Sequence, residues 1–176
     1  IGINFSANHH IAVDSNGKTN IGNIYAVGDV IGSPWLAHVS AAEGLYAVEH
    51  LCGLNPKEID YNSVPACTYS KPEVASIGLT EQQLVDDAIE FKVAKSFFIA
   101  NGKAVAVGAT DGFIKMLVGK EGNILGAHIV GSNATEMISE LSVIKSNNLT
   151  VNSVLESVHP HPTFSEAIFE TLLQLK

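Results

Sequence analysis

Eight residues near the end of the chain combine side chains that proton-transfer chemistry uses. The segment reads His159-Pro160-His161-Pro162-Thr163-Phe164-Ser165-Glu166, and an amphipathic run follows it. Proline restricts its own backbone and that of the preceding residue, so we expect both histidines on stiff, extended chain, and a cis bond at His161-Pro162 would turn it sharply. A carboxylate that accepts one imidazole N–H fixes the tautomer and leaves the other nitrogen for a substrate. His161 and Glu166 are therefore candidates for an acid–base pair.

Glu166 also fits a purely structural role. Thr163-x-x-Glu166 matches the capping box, in which the glutamate accepts a bond from the backbone N–H at the start of a helix. On the residue pattern alone this cap is the favoured interpretation, and partnership with His161 is the alternative. His159-x-His161 would place two imidazoles on one face of an extended chain. A zinc site needs three or four ligands, however, and no third one stands at a recognisable spacing, so we predict no metal site.

The composition excludes several classes of function. The chain has 176 residues, of which 46% are hydrophobic and 16% charged, with a formal net charge of −8. An acidic chain without a basic run is not expected to bind nucleic acid, and no apolar stretch is long enough to cross a membrane. Cys52 and Cys67 form no close redox pair and are interpreted as buried thiols. The chain begins with Ile1 and carries no signal peptide, so we expect a piece of a longer cytoplasmic protein, or of a mitochondrial matrix or plastid protein in a eukaryote.

The first sixty residues are predicted to contain a hairpin, a short strand and a helix. An Asn16-Gly17 turn divides the hairpin, which runs from Ile11 to Ile24. The strand over residues 24–27 closes at Gly28-Asp29, where an α/β sheet can present a carboxylate to a ligand. From spacing alone, a loop aspartate without a ligand is the better interpretation of Asp29.

The predicted helix spans Trp35 to Leu51 and stops at Gly53. Its apolar residues share one face: Ala41, Leu45, Val48 and Leu51. Because the helix begins shortly after Asp29, its free N–H groups and its dipole could face an electron-rich ligand atom.

A domain boundary is predicted near Asp60, after which the pattern changes to an antiparallel meander with helices. Strands are predicted at 67–69, 74–77, 91–99, 104–107, 113–118 and 124–130. Helices are predicted after the capping box Thr80-Glu81-Gln82-Gln83, from Asn133 with a stripe of Met137, Ile138, Leu141 and Ile144, over 150–158, and after the His-Pro segment. Helices segregated from an antiparallel sheet indicate an α+β fold for this part.

Three motifs in order and at their spacing resemble the flavin disulfide reductases, and among them the dihydrolipoamide dehydrogenases. The motifs are Ile24-Tyr25-Ala26-Val27-Gly28-Asp29, Leu36-Ala37-His38, and His161-Pro162-Thr163-Phe164-Ser165-Glu166. The resemblance runs over essentially the whole chain and implies that it is the C-terminal part of such an enzyme. Residues 1–60 would then be the returning segment of an α/β FAD-binding domain, and residues 61–176 the interface domain through which two subunits form a homodimer.

The resemblance also implies roles for individual residues. Asp29 matches the aspartate that binds the FAD ribityl chain. The helix start that meets the flavin is matched by four residues: Trp35, Leu36, Ala37 and His38. The contact itself would be made by the backbone N–H of Ala37. His161 matches the catalytic acid/base, Glu166 the carboxylate that orients it, and His159 a supporting histidine. Trp35 stands where methionine is usual, and Pro160 where alanine is more usual.

The activity implied is that of the intact enzyme. Dihydrolipoyl groups of 2-oxo acid dehydrogenase complexes would give a proton to His161 as their thiolate attacks an enzyme disulfide, and the electrons would pass through FAD to NAD. This chain contains neither a G-x-G-x-x-G loop nor a C-x4-C disulfide motif. We therefore expect it to be inactive alone and to hold no FAD stably. Two alternatives are a non-catalytic dimerisation module of the same fold and another flavin disulfide reductase, such as a glutathione reductase.

Overall fold

The chain divides after Asp60. A computed structural model describes all residues, Ile1–Lys176, in two units that we call the N-terminal unit (Ile1–Asp60) and the C-terminal unit (Tyr61–Lys176). Its α-helices are α1 (Ala37–Leu51), α2 (Glu81–Asp86), α3 (Gly102–Ala106), α4 (Ala134–Ser146), α5 (Val151–Leu155) and α6 (Glu166–Leu173). Its strands are β1 (Ala66–Thr68), β2 (Val74–Gly78), β3 (Phe91–Phe97), β4 (Gly112–Gly119) and β5 (Ile124–Gly131). None of the helices has the length and apolar character to cross a membrane.

The C-terminal unit is built on one antiparallel sheet in the order β1-β2-β5-β4-β3. Alternate strand residues point to one face, and those of the central strands meet the apolar stripes of α4, α5 and α6 in a single core. The stripe predicted for α4 is confirmed, since all four of its residues are buried: Met137, Ile138, Leu141 and Ile144. The predicted α+β fold is therefore confirmed.

Two helix starts in this unit depend on capping bonds. The capping box predicted at Thr80 is present, with Thr80 Oγ1 accepting from the Gln83 backbone N–H and the Gln83 side chain accepting from the Thr80 N–H. Helix α4 does start after Asn133, but the Asn133 side chain makes no cap. Glu73, from the start of β2, accepts instead from the backbone N–H and the hydroxyl of Thr135. These bonds hold the pKa of Glu73 below its ordinary value.

Three element predictions in the C-terminal unit are wrong. The strand expected over 91–99 ends at Phe97, before a 3₁₀ turn over Phe98–Ala100. The strand expected over 104–107 belongs to helix α3, because the Asn101 side chain accepts from the Ala104 backbone N–H and so satisfies one donor of the first helical turn. The helix after Thr150 ends at Leu155 rather than Val158, since Val158 is 98% exposed and has no apolar face to pack against.

The N-terminal unit departs further from expectation. The predicted hairpin and strand reduce to the isolated bridges Phe5↔Ile11 and Lys18↔Tyr25, because no segment pairs alongside them over several residues. The turn itself forms, with the Gly17 N–H donating to the Asp14 carbonyl. The two backbone N–H bonds that the Asp14 carboxylate accepts, from Lys18 and Asn16, lower its pKa.

Helix α1 begins at Ala37, two residues later than predicted, because Trp35 and Leu36 are not helical and Leu36 has extended dihedral angles. It ends as predicted at Gly53, which has a φ of 74° and donates to the His50 carbonyl. Its predicted apolar residues do share a face, but that face is exposed. The prediction of buried thiols is also wrong, since Cys52 is exposed and Cys67 is only half-buried. The buried residues of α1 are Val39, Glu43 and Ala47.

Candidate functional site

The His-Pro segment lies between α5 and α6, and its fold brings two predicted residues together. The His161–Pro162 peptide bond is cis. The His161 Nδ1 and Glu166 Oε1 atoms are 2.8 Å apart. The His161 side chain is 76% exposed, whereas the Glu166 side chain is 19% exposed. A fixed carboxylate therefore orients an imidazole that faces solvent.

Each oxygen of Glu166 has its own partner. Oε1 bonds to His161 Nδ1, and Oε2 accepts from the Thr163 backbone N–H at 2.8 Å. The Thr163 hydroxyl donates to the Pro160 carbonyl, so the threonine half of the predicted capping box does not form, and Ser165 stands at the N-cap position without a side-chain bond. The predicted capping box is therefore wrong, because the helix begins one residue after Ser165 and Thr163 lies before its cap. The Glu166 carboxylate instead bonds to the Thr163 N–H and to His161 at the same time.

The charge state of this carboxylate follows from its bonds. The Thr163 backbone N–H, and after it His161, hold the pKa of Glu166 below its usual range, so the ionised form is favoured. An ionised carboxylate can only accept, so Nδ1 of His161 donates. In a neutral imidazole this leaves Nε2 with a lone pair that can take up a proton. One helical turn further on, burial, together with the negative charge of Glu166, raises the pKa of Glu170.

The segment is anchored to the core on both sides of His161. Phe164 is buried and packs against Phe98, with the ring centroids 5.7 Å apart. The amide of the buried Asn101 donates to the Thr163 carbonyl at 3.1 Å. His159 bonds through Nε2 to Glu140 Oε1 at 2.8 Å.

Two of these partners, Asn101 and Glu140, were missed by the sequence reasoning. Asn101 before a glycine could have been recognised as a helix cap, which it is, but its bond to a residue 62 positions away has no local signal. Glu140 lies on α4 beside the apolar stripe, 19 residues from His159. No periodic pattern connects a helical glutamate to a loop histidine at that separation.

Two clefts border the segment. One, of about 440 Å³, lies between α4, α5 and the chain around His159 and Pro160. The other, of about 270 Å³, is lined by Lys103, Glu136 and the chain from Pro162 to Ser165. Helix α3 approaches the imidazole from a further side, since a Cβ at Gly102 would lie 3.9 Å from His161 Cε1. No group of three or more His, Cys, Asp or Glu side chains is placed to hold a metal ion.

The other predicted site residues belong to the N-terminal unit. Asp29 lies in a 3₁₀ turn, Gly28–Ile31, and its side chain is exposed. Glu43 of α1 accepts from the Gly28 backbone N–H at 2.6 Å, and Gly28 has a φ of 76°. A Cβ on Gly28 would lie 2.5 Å from Ser40 Oγ, so this turn is packed tightly against α1.

The start of α1 holds the remaining predicted positions. Leu36 is the N-cap residue and supplies no capping side chain, and Ala37 and His38 open the first turn. The Val39 N–H donates to the Leu36 carbonyl, whereas the Ala37 N–H precedes the first bond of this helix. Trp35 precedes the helix and is 66% exposed, with its ring edge-on to His10.

Comparison with known families decides the classification. The sequence pattern of the family described as "Pyridine nucleotide-disulphide oxidoreductase, dimerisation domain" matches residues 64–172. A second pattern, described as "Pyridine nucleotide-disulphide oxidoreductase", matches residues 1–44. The chain belongs to the pyridine nucleotide-disulphide oxidoreductases.

Relatives within these oxidoreductases bear out the more specific resemblance. The chain is 46% identical over 167 residues to a dihydrolipoyl dehydrogenase of Bacillus subtilis, which covers 94% of this chain and 35% of the relative. It is 43% identical over 165 residues to one of Zymomonas mobilis, covering 93% of this chain and 35% of the relative. The predicted resemblance to dihydrolipoamide dehydrogenases is confirmed, and the chain spans about a third of the length of the curated relatives it matches.

Two solved structures share the fold. LpdA from Mycobacterium tuberculosis superposes with a TM-score of 0.94 at 26% identity, over 100% of this chain and 39% of that one. The HOCl-induced flavoprotein disulfide reductase RclA from Escherichia coli superposes with a TM-score of 0.92 at 24% identity, over 99% of this chain and 41% of that one. At that identity the second likeness concerns the fold alone.

Proposed function

We propose that this chain supplies the acid–base pair and the dimerisation surface of a dihydrolipoyl dehydrogenase. The observation that carries the proposal is the exposed imidazole of His161 with Glu166 Oε1 at 2.8 Å from its Nδ1. Relatives named dihydrolipoyl dehydrogenase support the choice of substrate, which is a dihydrolipoyl group. As these relatives are bacterial proteins, we also propose a cytoplasmic location.

The proton chemistry of the pair follows from its hydrogen bonds. With Nδ1–H donated to Glu166, Nε2 of His161 takes the proton from a thiol of the substrate, which is then a thiolate able to attack the enzyme's redox disulfide. The imidazolium formed in this step is stabilised by the adjacent carboxylate, as in other histidine–carboxylate pairs. An imidazole suits this task because its unperturbed pKa, about 6.5, lies near working pH.

The N-terminal unit has groups that fit part of an FAD site. Asp29 is exposed on a turn fixed by Glu43, and Ala37 opens a helix whose N-cap residue offers no side-chain acceptor. We propose that the Asp29 carboxylate holds a ribityl hydroxyl, and that the chain from Trp35 to His38 holds the flavin edge through the Ala37 N–H. When bound, FAD supplies the two-electron redox chemistry that links the dithiol to NAD.

The chain alone is proposed to bind no FAD stably. It lacks the glycine-rich loop that cradles a pyrophosphate, so the groups around Asp29 would have to supply all the binding energy. Titration of the 176-residue chain with FAD, followed by flavin fluorescence, should show no stoichiometric complex. A tight one-to-one complex would contradict this assignment.

The C-terminal unit is proposed to form a homodimer. Its sheet and helices carry exposed apolar side chains, among them Val93, Phe97, Val105 and Val143. Burial of such surface is the main favourable contribution to association. Sedimentation at roughly tens of micromolar, a range suited to micromolar affinity, should show a dimer, and a strictly monomeric profile would argue against it.

The intact enzyme tests the acid–base pair. His161→Gln should lower turnover of dihydrolipoamide by about 100- to 10,000-fold, because it removes the proton carrier. Glu166→Gln should also lower turnover substantially while the melting temperature changes little, since glutamine can still accept from the Thr163 N–H but no longer stabilises the imidazolium. Glu156→Gln, which alters an exposed carboxylate at the end of α5, is the matched control and should leave turnover unchanged. Normal turnover in both the His161→Gln and the Glu166→Gln enzymes would mean that this chain contributes no acid–base chemistry. Its function would then be that of a non-catalytic dimerisation module.

A further inference from the structure

A second histidine–carboxylate pair lies beside the first but differs from it in burial. The His159 Nε2 and Glu140 Oε1 atoms are 2.8 Å apart. The His159 side chain is 10% exposed, against 76% for His161, and Glu140 is 32% exposed. The buried ring presents much less surface to a substrate than that of His161, so we expect a different role for it.

The surroundings of His159 indicate a ring held in a fixed orientation. The Glu140 carboxylate is an acceptor, so Nε2 carries the hydrogen, and Nδ1 is buried without a hydrogen-bond partner. The ring also packs against Phe169 of α6, with centroids 5.6 Å apart. Its orientation is thus set by α4 through a hydrogen bond and by α6 through packing.

We propose that Glu140 and His159 form a positioning pair that holds the acid–base histidine in register with Glu166. The inference rests on the proposed function of His161. His159 and His161 are each followed by proline, so the chain between them has little freedom and transmits the placement of one ring to the other. Beyond His161, Asn101 holds the Thr163 carbonyl while Glu166 holds the Thr163 N–H. Glu140 therefore holds the chain before His161, through His159, while Asn101 and Glu166 hold the chain after it, at Thr163.

The expected effect is on the chemical step. Glu140 and His159 bond to each other and pack away from solvent, so loss of the pair should lower kcat and leave KM for dihydrolipoamide unchanged. Displacement of a catalytic group by about 1 Å can cost on the order of 100-fold in rate, and we expect a fall of roughly 10- to 100-fold for Glu140→Ala in the intact enzyme. Glu140→Gln should retain most of the activity, because the amide oxygen accepts the same Nε2–H bond. Glu156→Gln again serves as the control.

Amide hydrogen exchange in the 176-residue chain gives a readout that does not depend on catalysis. The Thr163 N–H reports the bond to Glu166, and its exchange should become faster in Glu140→Ala but not in Glu140→Gln or Glu156→Gln. His159→Phe is a second route to the same loss, since phenylalanine can keep the packing on Phe169 but cannot bond to Glu140. It should resemble Glu140→Ala in both exchange and kcat.

The outcomes separate this proposal from the one it rests on. Faster Thr163 exchange with a lower kcat, restored by Glu140→Gln, supports the positioning pair. Unchanged exchange and kcat in Glu140→Ala and His159→Phe would overturn it, as would a loss of melting temperature alone. Equal falls in kcat for Glu140→Ala and Glu140→Gln would assign the effect to charge and also overturn it. Normal turnover in His161→Gln would instead refute the acid–base role, whatever Thr163 exchange shows.

Discussion

The two units of the chain differ in how many strand pairings and buried apolar side chains each one contains. In the C-terminal unit, five strands pair over their whole length and three helices cover one face of the sheet. In the N-terminal unit, the only strand contacts are isolated bridges, and Val39 and Ala47 are its only buried apolar side chains. Periodicity in a sequence thus identifies a face of an element, but burial requires a partner for that face.

Helices α1 and α4 make the contrast concrete. Both carry an apolar stripe at helical spacing. The α4 stripe packs on β2 and β5, and Leu141 is fully buried. On α1 the corresponding residue Leu45 is 61% exposed, while the opposite face holds the buried Glu43. The predicted stripe of α1 was therefore right as a pattern and wrong as a core.

The largest expected effect comes from matched leucines. Leu141→Ala should destabilise the chain by about 2–5 kcal/mol, because it removes fully buried atoms and leaves a cavity. Leu45→Ala removes the same atoms from an exposed helix face and should change the free energy of unfolding by no more than about 0.5 kcal/mol. Urea denaturation followed by circular dichroism measures both, and equal costs would contradict the difference drawn between the two units.

A pair of glycines tests the same contrast in the backbone. A Cβ on Gly126 of β5 would overlap the Leu79 carbonyl, so Gly126→Ala should cost about 1–3 kcal/mol or more through overpacking. Gly44 of α1 has no atom within 4 Å of its Cβ position, and Gly44→Ala should stabilise by about 0.4–1 kcal/mol through the unfolded state. Thermal unfolding of the two variants should move the melting temperature in opposite directions.

Glu73 and Asp14 differ in how far along the chain their hydrogen-bond partners lie. Glu73 bonds to Thr135, 62 residues away, and caps α4, so Glu73→Ala should cost about 0.5–2 kcal/mol, as for other helix caps. Asp14 bonds to the backbone of its own turn, two and four residues away. Asp14→Ala should cost less than Glu73→Ala in the same denaturation experiment, because a local turn can form in part in the unfolded chain. A larger cost for Asp14→Ala would reverse the comparison.

The smallest expected effect is a change in pH dependence. Bonds from Thr163 and His161 keep the pKa of Glu166 below its ordinary value near 4.3, so the folded state favours the ionised form. This contribution to stability is complete above about pH 4.3 and is lost as the pH falls through the lowered folded-state pKa. Glu166→Gln should therefore flatten the fall in unfolding free energy between about pH 5 and pH 3. An unchanged slope would mean that these bonds do not hold the carboxylate in solution.

Local chemistry alone was sufficient for several features. The capping box at Thr80, the stop at Gly53 and the helical spacing of the apolar residues of α4 each depend on residues close along the chain, and each formed as predicted. The strand expected over 104–107 failed because the cap supplied by Asn101 outweighed an apolar run that fits either a helix or a strand.

The sequence by itself determined most helices of the chain, the α+β class of the second part and the presence of a histidine and a glutamate five residues apart. It left open whether Glu166 caps a helix or orients His161. Only the tertiary structure decided that one oxygen of this carboxylate bonds to His161 and the other accepts from the Thr163 N–H, without capping the helix. It alone also supplied Glu140, Asn101 and Glu73, whose partners lie 19 to 62 residues away. The physical reason is that hydrogen bonds of side chains depend on distance in space, and local propensity and periodicity extend over only a few residues along the chain.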